Sequence, residues 1–274
     1  MEYKPREIPE GVNVTAVHPL VNFAYLLSTV VVVSAITYIG LGAIATKLAL
    51  HLPPNIETQI GQELMSDVPN LTKIESREQE YLEQLLTKIV PTASDRLPLK
   101  LHIQESPLPN AMILPGGHVI VTTTLLEEAE SENELAFVLA HELGHHIAKD
   151  NLKALGRSLV FLTIASVLGM GTGNGDLVTI TGSLTNLHYS RQQETAADIY
   201  ALGAMVNYYG HGNDSLKFFN RLQTESSIPL PKFVGYFSTH PLTQTRIDYL
   251  SQVAKQKNWQ MTGEVTDLPA WFDR

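Results

Sequence analysis

The chain contains no cysteine. That absence removes disulfides, thiolate metal sites and cysteine nucleophiles together, so any bound metal must be held by histidines and carboxylates. Basic residues are also in deficit, with 19 Lys and Arg against 28 Asp and Glu and a net charge of −9. They form no cluster, which argues against a nucleic-acid surface, since phosphate binding wants grouped Lys and Arg. Charge of either sign is missing from Val21 to Thr46. Such a window exceeds the ~20 residues needed to cross a bilayer core of ~30 Å and predicts a transmembrane helix over 21–46. Two other readings of the window stay open. It could be a buried core helix, or a cleaved signal peptide using Ala43-Ile44-Ala45, although its apolar region is longer than the ~7 to 15 residues usual for one. Lys4 and Arg6 precede the window and only Lys47 follows closely. The positive-inside rule therefore leans toward an internal N-terminus, with the rest of the chain on the extracytoplasmic side of a plasma membrane.

What remains is enough for a folded domain. With 44% hydrophobic residues over 274 positions, the chain can bury a sizeable core. Residues 1–20 are polar, include Pro5, Pro9 and Pro19, and are expected to be a disordered leader. Residues 55–255 are expected to form the main domain and 256–274 a tail. Asn55 is placed to cap a helix through Met65, and Ser76 to Ile89 carries an apolar stripe of Tyr81, Leu82, Leu85, Leu86 and Ile89. Leu99 to Ile103 alternates as a strand would. Ala111 to Leu114 and His118 to Thr122 flank Pro115-Gly116-Gly117, the turn chemistry of a β-hairpin. The mostly apolar run of twelve residues from Leu159 to Met170 is too short to span a bilayer and predicts a core helix, with a dip into the membrane surface as the alternative, followed by a Gly-rich loop. Asp214 to Thr224 predicts one more helix. The fold class is α+β, mostly helical, with a small β-hairpin and one apolar N-terminal helix.

The densest chemistry lies at His141-Glu142-Leu143-Gly144-His145. At about 3.6 residues per turn, His141 and His145 share a helix face and can reach one metal ion, while Glu142 is placed to take a proton from a metal-bound water. Ser131 with Glu134 predicts a capping box at the start of this helix, and Gly144 allows another segment to approach its backbone. With 10 histidines in the chain, a chance match to H-E-x-x-H is expected at only about 0.02 to 0.03. A second pattern, Glu194-Thr195-Ala196-Ala197-Asp198, again puts two acidic groups on one helix face beneath the cap residue Ser190. Glu194 can supply a third metal ligand, and Asp198 can hold the free ring nitrogen of a ligand histidine. His146 points about 100° away from His145 and is not expected to be a ligand.

Four ordered motifs carry a family resemblance. They are Asn110-Ala111-Met112-Ile113-Leu114-Pro115-Gly116-Gly117-His118-Val119-Ile120-Val121, H-E-L-G-H at His141, E-x-x-x-D at Glu194, and Ser238-Thr239-His240-Pro241. Together, over Glu57 to Asp248, the chain resembles the membrane-associated zinc metallopeptidases that include HtpX and the CAAX prenyl protease, peptidase family M48. The resemblance implies a zincin-like domain with one Zn²⁺ per chain, held by His141, His145 and Glu194, with Glu142 as catalytic base and Asp198 behind the ligands. It implies protein or peptide substrates, misfolded or membrane-associated, with membrane lipid met through the N-terminal helix. Asn110, Ala111 and Met112 would form an edge strand onto which an extended substrate adds. His240 is a candidate donor to a developing oxyanion, held by the backbone restriction that Pro241 imposes. It is equally a candidate fourth ligand, in which case the chain would be a zinc-stabilised binding or chaperone-like protein with a closed site.

Overall fold

The computed structural model describes residues 18–72, 77–90, 98–168, 189–215, 240 and 244–272. Residues 1–17 of the leader, the Gly-rich stretch at 169–175 and most of the helix expected at 214–224 lie outside them, while Pro19 and Leu20, expected in the leader, already belong to the first helix. Helix α1 (Pro19–Leu50) is longer than the uncharged window, and of its 32 residues only Gly42 and Ala49 are buried. A core helix hides most of its surface, so that reading of the window fails. Helix α2 (Pro54–Ser66) begins two residues earlier than expected: Pro54 occupies its first turn, Pro53 is the cap, and Asn55 therefore caps nothing. Helix α3 (Arg77–Ile89) buries Leu82, Leu85, Leu86 and Ile89, the stripe seen in its sequence.

The sheet has three strands in the order β1-β3-β2. Strand β1 (Lys100–Gln104) runs parallel to β3 (His118–Thr122), with Leu101 opposite Val119. Strand β2 (Ala111–Leu114) pairs antiparallel with β3, with Ala111 opposite Val121. The connection between β2 and β3 is a 3₁₀ turn, Pro115–Gly117, in which Gly116 and Gly117 take φ of 77° and 82°. Glycine alone reaches that region without strain. β2 is thus the sheet edge that faces the next helices.

After the short α4 (Thr123–Glu128), α5 (Glu132–Ile147) is buried along nearly its whole length. Phe137, Leu135 and Leu139 fix it among α3, the sheet and α7 (Arg191–Tyr209) in the main core. Ser131 Oγ accepts from Glu134 N, but the Glu134 carboxylate turns to the Glu130 amide, so only half of the expected box forms. Gly144 does what its position suggested: a Cβ there would lie 3.0 Å from Ala197 Cα, and the two helices meet backbone to backbone. Ser190 and Gln193 make a complete capping box on α7.

Helix α6 (Asp150–Val167) follows a break at Lys149, whose φ is 54°. Its first turns bury Leu152, Ala154 and Leu155, the last two against Leu64, Leu114 and Ile120, whereas beyond Gly156 it lies along α1 and Leu159, Phe161, Val167 and Leu168 are exposed. The core helix expected from Leu159 is therefore not what forms. Helix α8 (Gln244–Gln256) completes the helical set among the described residues. The segment after it is not a detached tail. Leu268 and Phe272 enter the main core, Glu132 N donates to Thr266 O, and Asn133 Oδ1 accepts from Thr266 N, which ties the start of α5 down.

Candidate metal centre

Each helix delivers its pair of residues to one point. His141 and His145 come from α5, Glu194 from α7, and His240 from the segment ahead of α8; all four are buried. One ligand atom from each lies within 4.8 Å of all the others. The two Nε2 atoms of His141 and His145 are 3.1 Å apart, and each is 3.5 Å from an oxygen of Glu194. His240 Nδ1 is 3.1 Å from Glu194 Oε1 and 3.3 Å from His141 Nε2. Zinc bonds of about 2.0 to 2.1 Å in a tetrahedron separate ligand atoms by about 3.3 Å. The measured spacings bracket that value.

The outer ring nitrogens are held too. His141 Nδ1 is 3.0 Å from Asp198 Oδ1, the arrangement expected from the E-x-x-x-D spacing. His145 Nδ1 is 3.1 Å from Asp150 Oδ2. With both Nδ1 atoms engaged by carboxylates, both Nε2 atoms turn inward toward each other, and facing acceptors require a proton or a cation between them. Charge gives the same answer. Glu142, Asp150, Glu194 and Asp198 are all buried, and among the described residues the fixed cations against them are Arg246 and Lys153. Among those residues four carboxylates face two fixed cations, an excess that one divalent ion would match. The residues therefore fit a divalent metal. Without one, burial disfavours charge on His141, but the Asp198 and Glu194 carboxylates outweigh burial and hold the imidazole up at about 10. Burial likewise pushes Glu194 up, and the imidazoles of His141, His145 and His240 outweigh it and keep the carboxyl well below the usual range. His240 is pulled below an ordinary histidine by burial, against the pull of Glu142 and Glu194.

Of the expected site residues, Glu142 is buried one position beyond His141 and reaches His240 Nε2 at 3.3 Å. His146 turns to Glu57 at 3.9 Å, away from the cluster. Ser238, Thr239 and Pro241 lie outside the described residues. Asn110, Ala111 and Met112 sit on β2 and just ahead of it, against α5. Thr122 N donates to Asn110 O, so Asn110 and Met112 turn their backbone groups to β3 while Ala111 and Ile113 turn theirs away from it. Asn151 Nδ2 donates to Ile113 O at 2.8 Å. Ala111 directs both groups away from β3, and the residue is buried.

Four contributors were not read from the sequence. Asp150 lies beyond the helix break, five residues after His145; an acidic residue that soon after a ligand histidine is a usable signal. Arg246 grips Asp198 through Nε and Nη2, both at 2.8 Å, and Glu194 through Nη1 at 2.9 Å. Its guanidinium joins the two acidic groups of the E-x-x-x-D pattern. Tyr189 stacks on His145 with ring centroids 3.9 Å apart, and burial raises its phenol further above an ordinary tyrosine. Asn151 completes the set. None of these last three belongs to a local pattern.

A family model described as peptidase family M48 matches residues 76–254, which encloses every residue of the cluster and leaves α1 and α2 outside. Mitochondrial metalloendopeptidase OMA1 of Schizosaccharomyces pombe is 31% identical over 173 residues, covering 61% of this chain and 50% of that protein. The protein of the same name from Saccharomyces cerevisiae is 28% identical over 194 residues, covering 65% and 56%. A beta-barrel assembly-enhancing protease of Yersinia pestis is 24% identical over 201 residues, covering 69% and 41%. The chain spans about half the length of the curated relatives it matches.

Proposed function

The chain belongs to peptidase family M48, and from that premise we propose that it is a membrane-anchored, zinc-dependent endopeptidase. The observation that carries the reading is the convergence of His141, His145 and Glu194 on one point with Glu142 beside it. His141, His145 and Glu194 would hold the ion as a His₂Glu set. A bound zinc supplies Lewis-acid polarisation of the scissile carbonyl and lowers the pKa of a water.

The chain's own residues do the rest. Glu142 takes the proton from the attacking water and returns it to the leaving amine. Asp198 and Asp150 hold the two ligand imidazoles in the tautomer that presents Nε2 inward, and Arg246 fixes Asp198 and Glu194 against each other. An extended substrate pairs with the N–H and C=O that Ala111 directs away from β3, with Asn110 and Met112 supporting that edge through β3. Helix α1 crosses the bilayer once, and Lys4 and Arg6 favour a catalytic domain on the extracytoplasmic face. Substrates are proteins, misfolded or membrane-associated.

His240 has two roles open to it. Its Nε2, 3.3 Å from Glu142, lies beside the ligand cluster, which supports a role as donor to the oxyanion of a tetrahedral intermediate. With Nδ1 inside the ligand cluster it can also be a fourth ligand, and this supports a second reading in which zinc stabilises a closed, non-catalytic site. Hydrolysis of an unstructured peptide by the purified chain, abolished by a chelator and restored by zinc, separates the two. A zinc-loaded protein that hydrolyses nothing would favour the closed site.

A further inference from the structure

Helix α6 continues from the metal-binding helix after a two-residue break and runs antiparallel to α1. Gly156 is a point of close approach, where a Cβ would lie 3.1 Å from Ala45 Cβ. Farther along, Phe161 meets the edge of the Tyr38 ring. At the far end Ile164 and Val167 share an apolar cavity of about 470 Å³ with Thr29, Val33, Thr37 and Leu41. The two helices thus run in register from Ala45/Gly156 to Thr29/Val167. Whatever medium surrounds α1 between Thr29 and Ala45 also surrounds the second half of α6.

The sequence of α6 divides at the same level. Asp150, Lys153 and Arg157 fall in its first eight residues, and no charge follows from Ser158 to Leu168. Leu159, Phe161, Val167 and Leu168 are exposed, Val167 at 81%. Thr29 and Thr163 donate their hydroxyls to the carbonyls of Tyr25 and Leu159, each at 2.8 Å, so neither presents an unmet donor to its surroundings. Arg157 brings its Cγ to within 3.8 Å of where a Gly42 Cβ would be, and a side chain of that length can carry its charge back to an interface.

We propose that the half of α6 beyond Gly156 inserts into the bilayer beside α1 and is covered there by lipid acyl chains. This rests on the reading of α1 as a membrane span. The twelve helical steps from Gly156 to Leu168 reach about 18 Å along the axis, somewhat over half of a ~30 Å hydrocarbon core. The six steps from Asp150 to Gly156 cover about 9 Å. Asp150 touches His145, so the metal cluster stands at that height above the membrane, within reach of the segments of anchored proteins that lie next to the bilayer.

The absence of cysteine makes the test direct. Single variants Val31→Cys, Leu159→Cys, Val167→Cys and Glu127→Cys, all at exposed positions, are made in the full-length chain, spin-labelled and reconstituted into phosphatidylcholine and phosphatidylglycerol vesicles. Accessibility to oxygen, which partitions into lipid, is compared with accessibility to a water-soluble nickel chelate. The expected result is a high oxygen-to-nickel ratio at Val167, comparable with Val31, a smaller rise at Leu159, and a low ratio at Glu127. Nickel access at positions 159 and 167 with a lipid-exposed label at 31 would overturn the proposal and leave the anchor standing. Low access to both reagents at 159 and 167 would overturn it as well, since protein and not lipid would then cover the helix. Nickel access at position 31 would overturn the anchor and the proposal together.

Discussion

Gly144→Ala tests whether the contact between α5 and α7 sets the metal site. A Cβ at position 144 would stand 3.0 Å from Ala197 Cα and 3.3 Å from both the Cβ and the carbonyl oxygen of Ala197. Relaxed contacts between carbons lie near 3.5 to 4.0 Å, so the helices must part locally by roughly 0.5 to 1 Å. Overpacking of that kind costs about 1 to 3 kcal/mol, and replacing a helical glycine by alanine returns about 1 kcal/mol, so the net loss of stability is about 0 to 2 kcal/mol. The effect on the site is larger in proportion. Gly144 precedes His145, and Ala197 lies between Glu194 and Asp198, so the wedge opens the gap that the ligands span. Metal–ligand distances hold to about 0.2 Å, well under the displacement. The variant should remain folded, with a urea midpoint modestly lowered, and lose at least about tenfold in zinc affinity, the lower end of what disturbed ligand support costs. Chelator competition measures the affinity. Zinc bound as tightly as in the unmodified chain would refute the claim that this contact sets the ligand spacing.

Glu194→Ala should lose zinc and activity together because it removes a ligand, whereas Asp198→Ala should weaken zinc by about 10- to 100-fold; equal losses by chelator competition would mean that ligand and support are exchanged. His240→Ala should retain zinc and lose about 10²- to 10³-fold in turnover if the imidazole serves the oxyanion, and should gain turnover if it closes the site; unchanged turnover with unchanged zinc affinity rules out both. Outside the site, burial together with neighbouring His102 and Lys100 lowers His118 to about 4. A histidine depressed in the folded state stabilises fully above its unfolded value near 6.5 and loses that contribution as pH falls toward 4. Urea midpoints of the unmodified chain should therefore fall more steeply than those of His118→Asn between pH 6.5 and 4, and parallel curves would contradict this.

Local patterns were legible wherever the physics is local. The four-residue spacings of His141 and His145, and of Glu194 and Asp198, place each pair on one helix face whatever the tertiary context. Ser190 as a helix cap, and Pro115-Gly116-Gly117 between two short strands, likewise announce themselves. Asn55 misled because a proline at the next position back takes the start of the helix. Glu134 misled because the Glu130 amide competes for its carboxylate. Arg246 stands 48 residues from Asp198, and the parallel pairing of β1 with β3 is equally non-local, so neither leaves a trace in spacing. For the second half of α6, composition gave an apolar helix, but whether such a face meets protein or lipid depends on what the rest of the fold leaves beside it. Its alignment with α1 is visible in the structure alone.

The central claim is that Glu142 performs the proton transfer at a site whose metal is held by other residues. Glu142→Gln keeps the size of the side chain and removes its basicity. Zinc content and peptide turnover, measured on one preparation of the full-length variant, decide the matter. The account predicts zinc at the unmodified level with turnover reduced by about 10²- to 10⁴-fold, the scale of a lost general base. Undiminished turnover, or loss of the metal along with the activity, would contradict it.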